Sequence, residues 1–499
     1  MLATLKLKPK NGTPLFRQID AAIRSGIEAG RLKPGERLPS IAELAKQLRV
    51  NKLTALKAFR ELEKSGLLHS HVGRGTFVSG GEPQGPANAE TKPDQLRALR
   101  RLREGYARGL RELMSIERRP GTINLAGGVP SPATIPAGLL EDLAQAVVRK
   151  NARRLYEYSG PAGLPELREA IRQMLARQGT RVSADEIICT NGSQQAVSLL
   201  AAWAQEDGRT VLCETPTFTG TPWSFMFFGH AVQNVAWEQD TLDLEQLRTA
   251  ASGRRVLAYL CPDFHNPTGY TLSAAARLEL AAWARESGAC ILEDQIFREM
   301  RFEGEAPPAL YPQLPPGRRF LVGSISKSFM TGLRIGFLVA DASVIADLLP
   351  FKRYMDLGGP SLIQAIGAAF LTNGYAKHLQ RMRSYYRTRR DAALAALEAF
   401  MPPGVSWTRP AGGFQLWVTM PQGASSIQLF LQGIERGIAI SPGPANDIDG
   451  RYVNSFRLGY GHASPADLRS GIRRLAELVK CLLVRGPQET SRSGLGILV

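Results

Sequence analysis

Apolar residues recur at helical spacing between Pro14 and Ala29, at Leu15, Ile19, Ala22, Ile23 and Ile27, and Gly30 closes the run. After the turn Lys33-Pro34-Gly35, Ser40 and Glu43 stand in the S-x-x-E spacing of a capping box, which predicts a second helix ending near Arg49. A turn at Val50-Asn51 leads into a third helix, expected over 52–65, with Leu56, Phe59 and Leu62 facing inward and Gly66 as its stop. Residues 67–70 and 75–78 read as two short strands around the glycine-rich turn Val72-Gly73-Arg74-Gly75. Residues 80–94, GGEPQGPANAETKPD, have no apolar period and read as a flexible linker. From 95 to 119 helical spacing returns, with arginines between the apolar positions. Beyond Pro120 short apolar or β-branched runs, at 186–190, 210–214, 256–261, 290–293, 320–324 and 335–339, alternate with longer helical ones. That alternation predicts an α/β fold with a mostly parallel sheet.

Charge sharpens the front of this picture. The net charge is +17, and the first 120 residues hold 24 basic against 12 acidic side chains, so most of the excess is N-terminal. Two helices joined by a tight turn and followed by a hairpin make a winged helix-turn-helix, and a basic excess suits such a module to DNA phosphates. The third helix would enter the major groove with its first turn, presenting Asn51, Lys52 and Thr54, while Arg74 beside Gly75 at the wing tip reaches toward the minor groove. Ser40, at the start of the second helix, completes the expected DNA-facing set. The stretch LFRQIDAAIRSGIEAGRLKPGERLPSIAELAKQL, with the wing GRGTFV after it, resembles the winged-helix domain of GntR-type bacterial regulators over about residues 12–79. Ala42 departs from that family, which usually has arginine in this PSxR position, so the common operator is not implied. The arginine-rich segment 95–119 is either a helix with a basic face toward DNA or a solvated connector.

The large region carries its chemistry where strands are expected to end, which is where ligands gather in open α/β sheets. SISKSFMTGLRIG, residues 324–336, places Lys327 between serines with Arg334 beyond it. Burial and a neighbouring cation lower a lysine's pKa enough for its amine to act as a Schiff-base former, and the hydroxyls of Ser324 and Ser326 beside Arg334 suit a phosphate. Taken alone, the string is equally well a surface lysine in a loop. Thr190-Asn191-Gly192-Ser193-Gln194 runs into a helix whose free amides form an anion site. Phe218 follows the second of these strands and offers a ring for stacking; Asn266, in NPTG, offers an amide to a phenolate oxygen. Asp294 ends another strand, where a carboxylate opposite a ring nitrogen keeps it protonated.

Together and in this order these stretches resemble the fold type I aminotransferases, which use pyridoxal 5′-phosphate. The resemblance implies Lys327 as the lysine that carries the cofactor, Asp294 on its pyridine nitrogen, Asn266 on the ring oxygen and Phe218 over the ring. It places Ser193, Gln194, Ser324 and Arg334 around the phosphate. Tyr158, in the stretch YSGPAGLPELR, matches a tyrosine that reaches the partner subunit's phosphate, which implies a homodimer. Arg457, in SFRLGY, matches the arginine that grips an amino acid's carboxylate. Phe297 stands where the family usually has a tyrosine donating to the ring oxygen, a departure that weakens turnover more than binding.

A winged helix, a linker and an aminotransferase-like domain in one chain resemble the MocR group of GntR-type regulators. The expected division is 12–79 for the DNA-binding domain, 80–120 for the linker with its basic segment, 121–485 for the effector domain and 486–499 for a flexible tail. The function implied is a DNA-binding regulator that takes double-stranded operator DNA and senses the cofactor or its adduct with an amino acid or amine. An aminotransferase with an accessory DNA-binding domain is the alternative. Five scattered cysteines show neither a disulfide framework nor metal-ligand spacing, so no metal is expected. With no signal peptide or apolar span in the sequence, a cytoplasmic protein is expected.

Overall fold

The computed structural model describes residues 14–33, 35–48, 50–64, 67–71, 75–78, 121–151, 153–205 and 208–485. Arg74, the linker at 80–94, the segment at 95–119 and the tail at 486–499 lie outside the described residues. Two units divide the chain, one within Met1–Leu99 and one within Arg100–Val499.

The small unit holds helices Leu15–Glu28, Ile41–Gln47 and Lys52–Lys64, then an antiparallel hairpin of Leu68–His71 and Gly75–Val78. Its core joins Ile19 and Ile23 of the first helix to Leu44 of the second, Phe59 and Leu62 of the third, and Val78 of the hairpin. One expectation shifts here. Leu56 is only half-buried, and Ala55 and Ala58 go inward beside Phe59, because the helix turns its small residues to the closest approach.

An eight-stranded sheet organises the large unit. Its order is Ile187–Asn191, Ile335–Val339, Arg319–Ser324, Cys290–Asp294, Val256–Leu260, Thr210–Thr215, Val232–Glu238 and Thr241–Leu242. Ile335–Val339 and the short terminal strand Thr241–Leu242 run against their neighbours, and the other six are parallel. Alternate residues serve opposite faces: Leu257 and Tyr259 pack with Ala196, Leu199 and Leu200 of helix Ser193–Gln205, whereas Val256, Ala258 and Leu260 pack with Leu280 and Trp283 of helix Ala274–Ser287. The six strands read from the sequence are all present within a residue or two of their expected ends. Strands Val232–Glu238 and Thr241–Leu242, and an antiparallel sheet of Ser406–Trp407, Gln415–Thr419, Ser455–Gly459 and Ser441–Pro442, were not among them. Among the described residues no helix is long and apolar enough to cross a membrane.

Beneath the strand ends lies a buried charge cluster. Asp263 is 1% exposed and pairs with Arg277 at 3.0 Å and Arg298 at 2.7 Å. Burial alone would raise its pKa, but the two guanidiniums overcome that and hold the carboxyl below its usual value. The cluster anchors the loop that runs from Pro262 to Thr268. Asp263→Ala would leave buried Arg298 without its carboxylate and Arg277 with only Glu293 at 3.8 Å, and we expect about 3–5 kcal/mol of lost stability, read as a lower denaturation midpoint. An unchanged midpoint would mean that the arginines find other partners.

Candidate functional site

Parallel strands deliver their carboxyl ends to one edge of the sheet, and the predicted residues meet there. A cavity of about 240 Å³ is lined by Ser193, Gln194, Phe218, Asn266, Asp294, Lys327 and Arg334, residues that stand in separate motifs of the sequence. Each sits at or just beyond a strand: Asp294 closes Cys290–Asp294, Lys327 follows Arg319–Ser324 by three residues, and Phe218 follows Thr210–Thr215 by three.

Lys327 Nζ donates to the Gly128 carbonyl at 2.8 Å. Its pKa falls to about 8, first because burial disfavours the ammonium and then because Arg457 and Arg334 are positive, while Asp294 pulls the other way. Asp294 is 6% exposed; its Oδ2 accepts from the Tyr259 hydroxyl at 2.9 Å and its Oδ1 from the Ile296 amide at 3.0 Å. Burial pushes this carboxyl up to about 6 in spite of those two donors.

At the opposite end, Gly192 takes φ +82° and begins the turn into helix Ser193–Gln205. A side chain there would collide with the Arg334 guanidinium, so glycine is what lets the cation lie against the turn. Arg334 is itself left-handed, φ +54°, and exposed. The Gln194 amide donates to the Gly220 carbonyl at 3.1 Å and so braces the segment that carries Phe218.

Three predicted residues fall elsewhere. Ser324 donates inward to the Ile335 carbonyl at 2.6 Å and accepts the Ser326 amide, so Ser326 rather than Ser324 reaches the cavity wall. Tyr158 is 84% exposed in a separate cleft with Tyr156, Asn191 and Gly358. Arg457 reaches the site through Asn266: it donates to Asn266 Oδ1 at 2.9 Å and to the Ala126 carbonyl at 2.7 Å. With its oxygen so occupied, Asn266 presents its NH2 end for donation. Tyr259 was missed, although a tyrosine inside the apolar strand VLAYL must find a partner for its hydroxyl when buried. Phe297 lines the cavity with its ring 5.7 Å from Lys327 Nζ.

In the small unit, Ser40 accepts the Glu43 amide and Glu43 accepts the Ser40 amide, which builds the expected capping box. Asn51 and Lys52 are exposed at the start of helix Lys52–Lys64, and Thr54 is half-buried within its first turn. Gly75 opens the second strand of the hairpin.

Residues 120–475 match the family Aminotransferase class I and II, and residues 15–78 match the bacterial regulatory proteins of the gntR family. The HTH-type transcriptional regulator YdfD of Bacillus subtilis is 30% identical over 95% of this chain and 98% of its own. The probable rhizopine catabolism regulatory protein MocR of Rhizobium meliloti is 29% identical over 93% of each. The crystal structure of LysN, the α-aminoadipate aminotransferase of Thermus thermophilus, complexed with N-(5′-phosphopyridoxyl)-L-leucine, superposes with a TM-score of 0.70. It is 31% identical, over 77% of this chain and 98% of that one.

The cofactor of this fold is pyridoxal 5′-phosphate, and the cavity fits it. The glycine turn with Arg334 suits the phosphate, the buried Asp294 carboxylate a ring nitrogen, the Asn266 amide a ring oxygen, and the low-pKa Lys327 amine the aldehyde. Bound there, the cofactor supplies an electron sink. Asp294 would hold a proton at the ring nitrogen and Asn266, itself held by Arg457, would orient the ring. Only a neutral amine attacks an aldehyde, so uptake of pyridoxal 5′-phosphate by cofactor-free protein should quicken as pH rises, with a midpoint near 8 in stopped-flow absorbance. A rate still climbing beyond about pH 10 would describe an unperturbed lysine.

Proposed function

The chain belongs to the MocR-type regulators of the GntR superfamily, and from that premise we propose that its large domain senses pyridoxal 5′-phosphate or the adduct of that cofactor with an amino compound. The division we adopt is 12–79 for operator binding, 80–120 as connector, 121–485 for sensing and 486–499 as tail. One observation carries the reading: a chain with a DNA-reading helix also holds a half-buried lysine of lowered pKa that lines one cavity with Asp294, Asn266 and an arginine-backed glycine turn. Phe297 supports a sensor over a catalyst, since a ring without a hydroxyl leaves Asn266 as the amide donor toward the ring oxygen.

In this reading Arg457 would pair with the carboxylate of an α-amino acid whose amine takes the place of the Lys327 amine, and the guanidinium would then leave Asn266 Oδ1 and the Ala126 carbonyl. A change in those contacts alters the domain and, through it, the affinity for DNA. The working form is a homodimer. Support comes from the exposure of Tyr158, Tyr156, Tyr354 and Leu357, large side chains of a kind that association covers.

Two experiments test the halves. Lys52→Ala should weaken operator binding in a fluorescence titration and flatten the salt dependence by about one unit of slope, leaving the cofactor spectrum unchanged. If the slope holds, Lys52 meets no phosphate. Arg457→Ala should reduce the response to an active amino acid by roughly 1.5–3 kcal/mol, the value of a hydrogen bond to a charged group. Cofactor binding should change less, because the phosphate and ring-nitrogen contacts remain. A full response in Arg457→Ala would direct the search to amines without a carboxylate, and multiple turnovers with amino and keto acids would favour an aminotransferase.

A further inference from the structure

Behind the anion-binding turn lies a charged group that the cofactor reading does not use. Asp356 ends helix Ala342–Asp356, and its Oδ2 accepts from the side-chain amides of Asn191 at 2.9 Å and Gln195 at 2.8 Å. Gln195 Oε1 accepts the Asn191 amide at 2.7 Å, so the two residues bracketing Gly192-Ser193-Gln194 are closed into a ring through one carboxylate. The other oxygen, Oδ1, accepts Lys352 Nζ at 2.5 Å and the Gly358 amide at 3.1 Å. Lys352 is wholly buried, which fixes the carboxylate against a charge that has no water to turn to. Backbone packs closely on another side of the turn, at Gly336. A Cβ on Gly336 would strike the backbone of Gly192 and Ser193, and one on Gly192 would strike Arg334.

We infer that Asp356, set by Lys352, is a positioning residue that holds the turn at Gly192, whose own amide is spent on the Thr190 carbonyl, so that the Ser193 and Gln194 amides stay in register for a phosphate. This rests on the reading that pyridoxal 5′-phosphate occupies the cavity with its phosphate at this turn. Asp356 bonds to none of Asp294, Asn266 and Phe218 at the ring end, so its influence is confined to the phosphate end of the ligand.

Asp356→Asn puts an amide donor where a carboxylate oxygen was, and in either orientation that donor faces other donors: Asn191 and Gln195, or Lys352 and Gly358. Full-length protein freed of cofactor would be titrated with pyridoxal 5′-phosphate and with pyridoxal, following tryptophan fluorescence. Wild type should prefer the phosphorylated form. In Asp356→Asn the affinity for pyridoxal 5′-phosphate should fall about ten- to a hundredfold, while that for pyridoxal stays within about twofold. The double variant Lys352→Met/Asp356→Leu leaves no buried charge unpaired, so it guards against misfolding and should lose the same preference. Retained preference in a folded variant overturns the inference, and so does an equal loss for both ligands, which would mark general support of the fold. If wild type itself does not distinguish the two, the placement of the phosphate is wrong and the inference falls with it.

Discussion

A half-buried lysine amine held among fixed charges is the constraint on which the large domain depends. A Schiff-base role would require Lys327 to lose its proton near neutral pH, and burial with Arg457 and Arg334 brings its pKa to about 8. Burial alone would also spoil the site, because a buried cation without an opposing charge is costly. Asp294 supplies that opposition, and the same burial raises its own pKa to about 6. Each of these groups is set by the surroundings of the other. The pair is reproducible only if the strands that carry them end at the same level, which parallel pairing of Arg319–Ser324 with Cys290–Asp294 secures.

The polar interior under the site serves that rigidity. Glu214 accepts the Cys261 amide and lies 3.2 Å from His265 Nε2, and His265 stacks on Trp237 at 4.2 Å. Glu293 accepts the amides of Leu310 and Tyr311. With the Asp263 cluster, these buried carboxylates pin the backbone of the loops that follow the strands, where apolar contacts alone would leave amides unsatisfied. Asn266 is thereby presented from a loop as firmly as Asp294 is from a strand. Its partnership with Arg457 then links the ring end of the cavity to the second, antiparallel sheet, since Arg457 lies on the strand Ser455–Gly459.

The small domain works by different means. Its core is a handful of aliphatic residues and Phe59, and its second helix is one of only seven residues, begun by the Ser40–Glu43 capping box. A helix that short depends on its cap and on packing more than on propensity. The exposed Asn51 and Lys52 stand where the third helix starts, so the accuracy of that start governs what reaches a base edge or a phosphate.

Local pattern determined much of this protein. Helical spacing, the S-x-x-E box and glycine stops place the three N-terminal helices, and apolar runs place the parallel strands, because both signals are written within a few neighbouring residues. The strand-end chemistry at Lys327, Asp294, Asn266 and Gly192 was legible for the same reason: each sits in a short motif beside a strong strand. Val232–Glu238 escaped because Gln233 and Asn234 interrupt the apolar residues of VQNVAWE, which leaves no continuous apolar run. Other facts existed only once the chain had folded. Ser326 faces the cavity and Ser324 does not, because the Ile335 carbonyl on the neighbouring antiparallel strand claims the Ser324 hydroxyl. Tyr259 meets Asp294, Arg457 meets Asn266 and Asp356 meets Asn191 across 35, 191 and 165 residues of sequence. No local pattern encodes such distances; sheet order and helix packing decide them, and with them which side chains are spent on the fold and which are left to face a ligand.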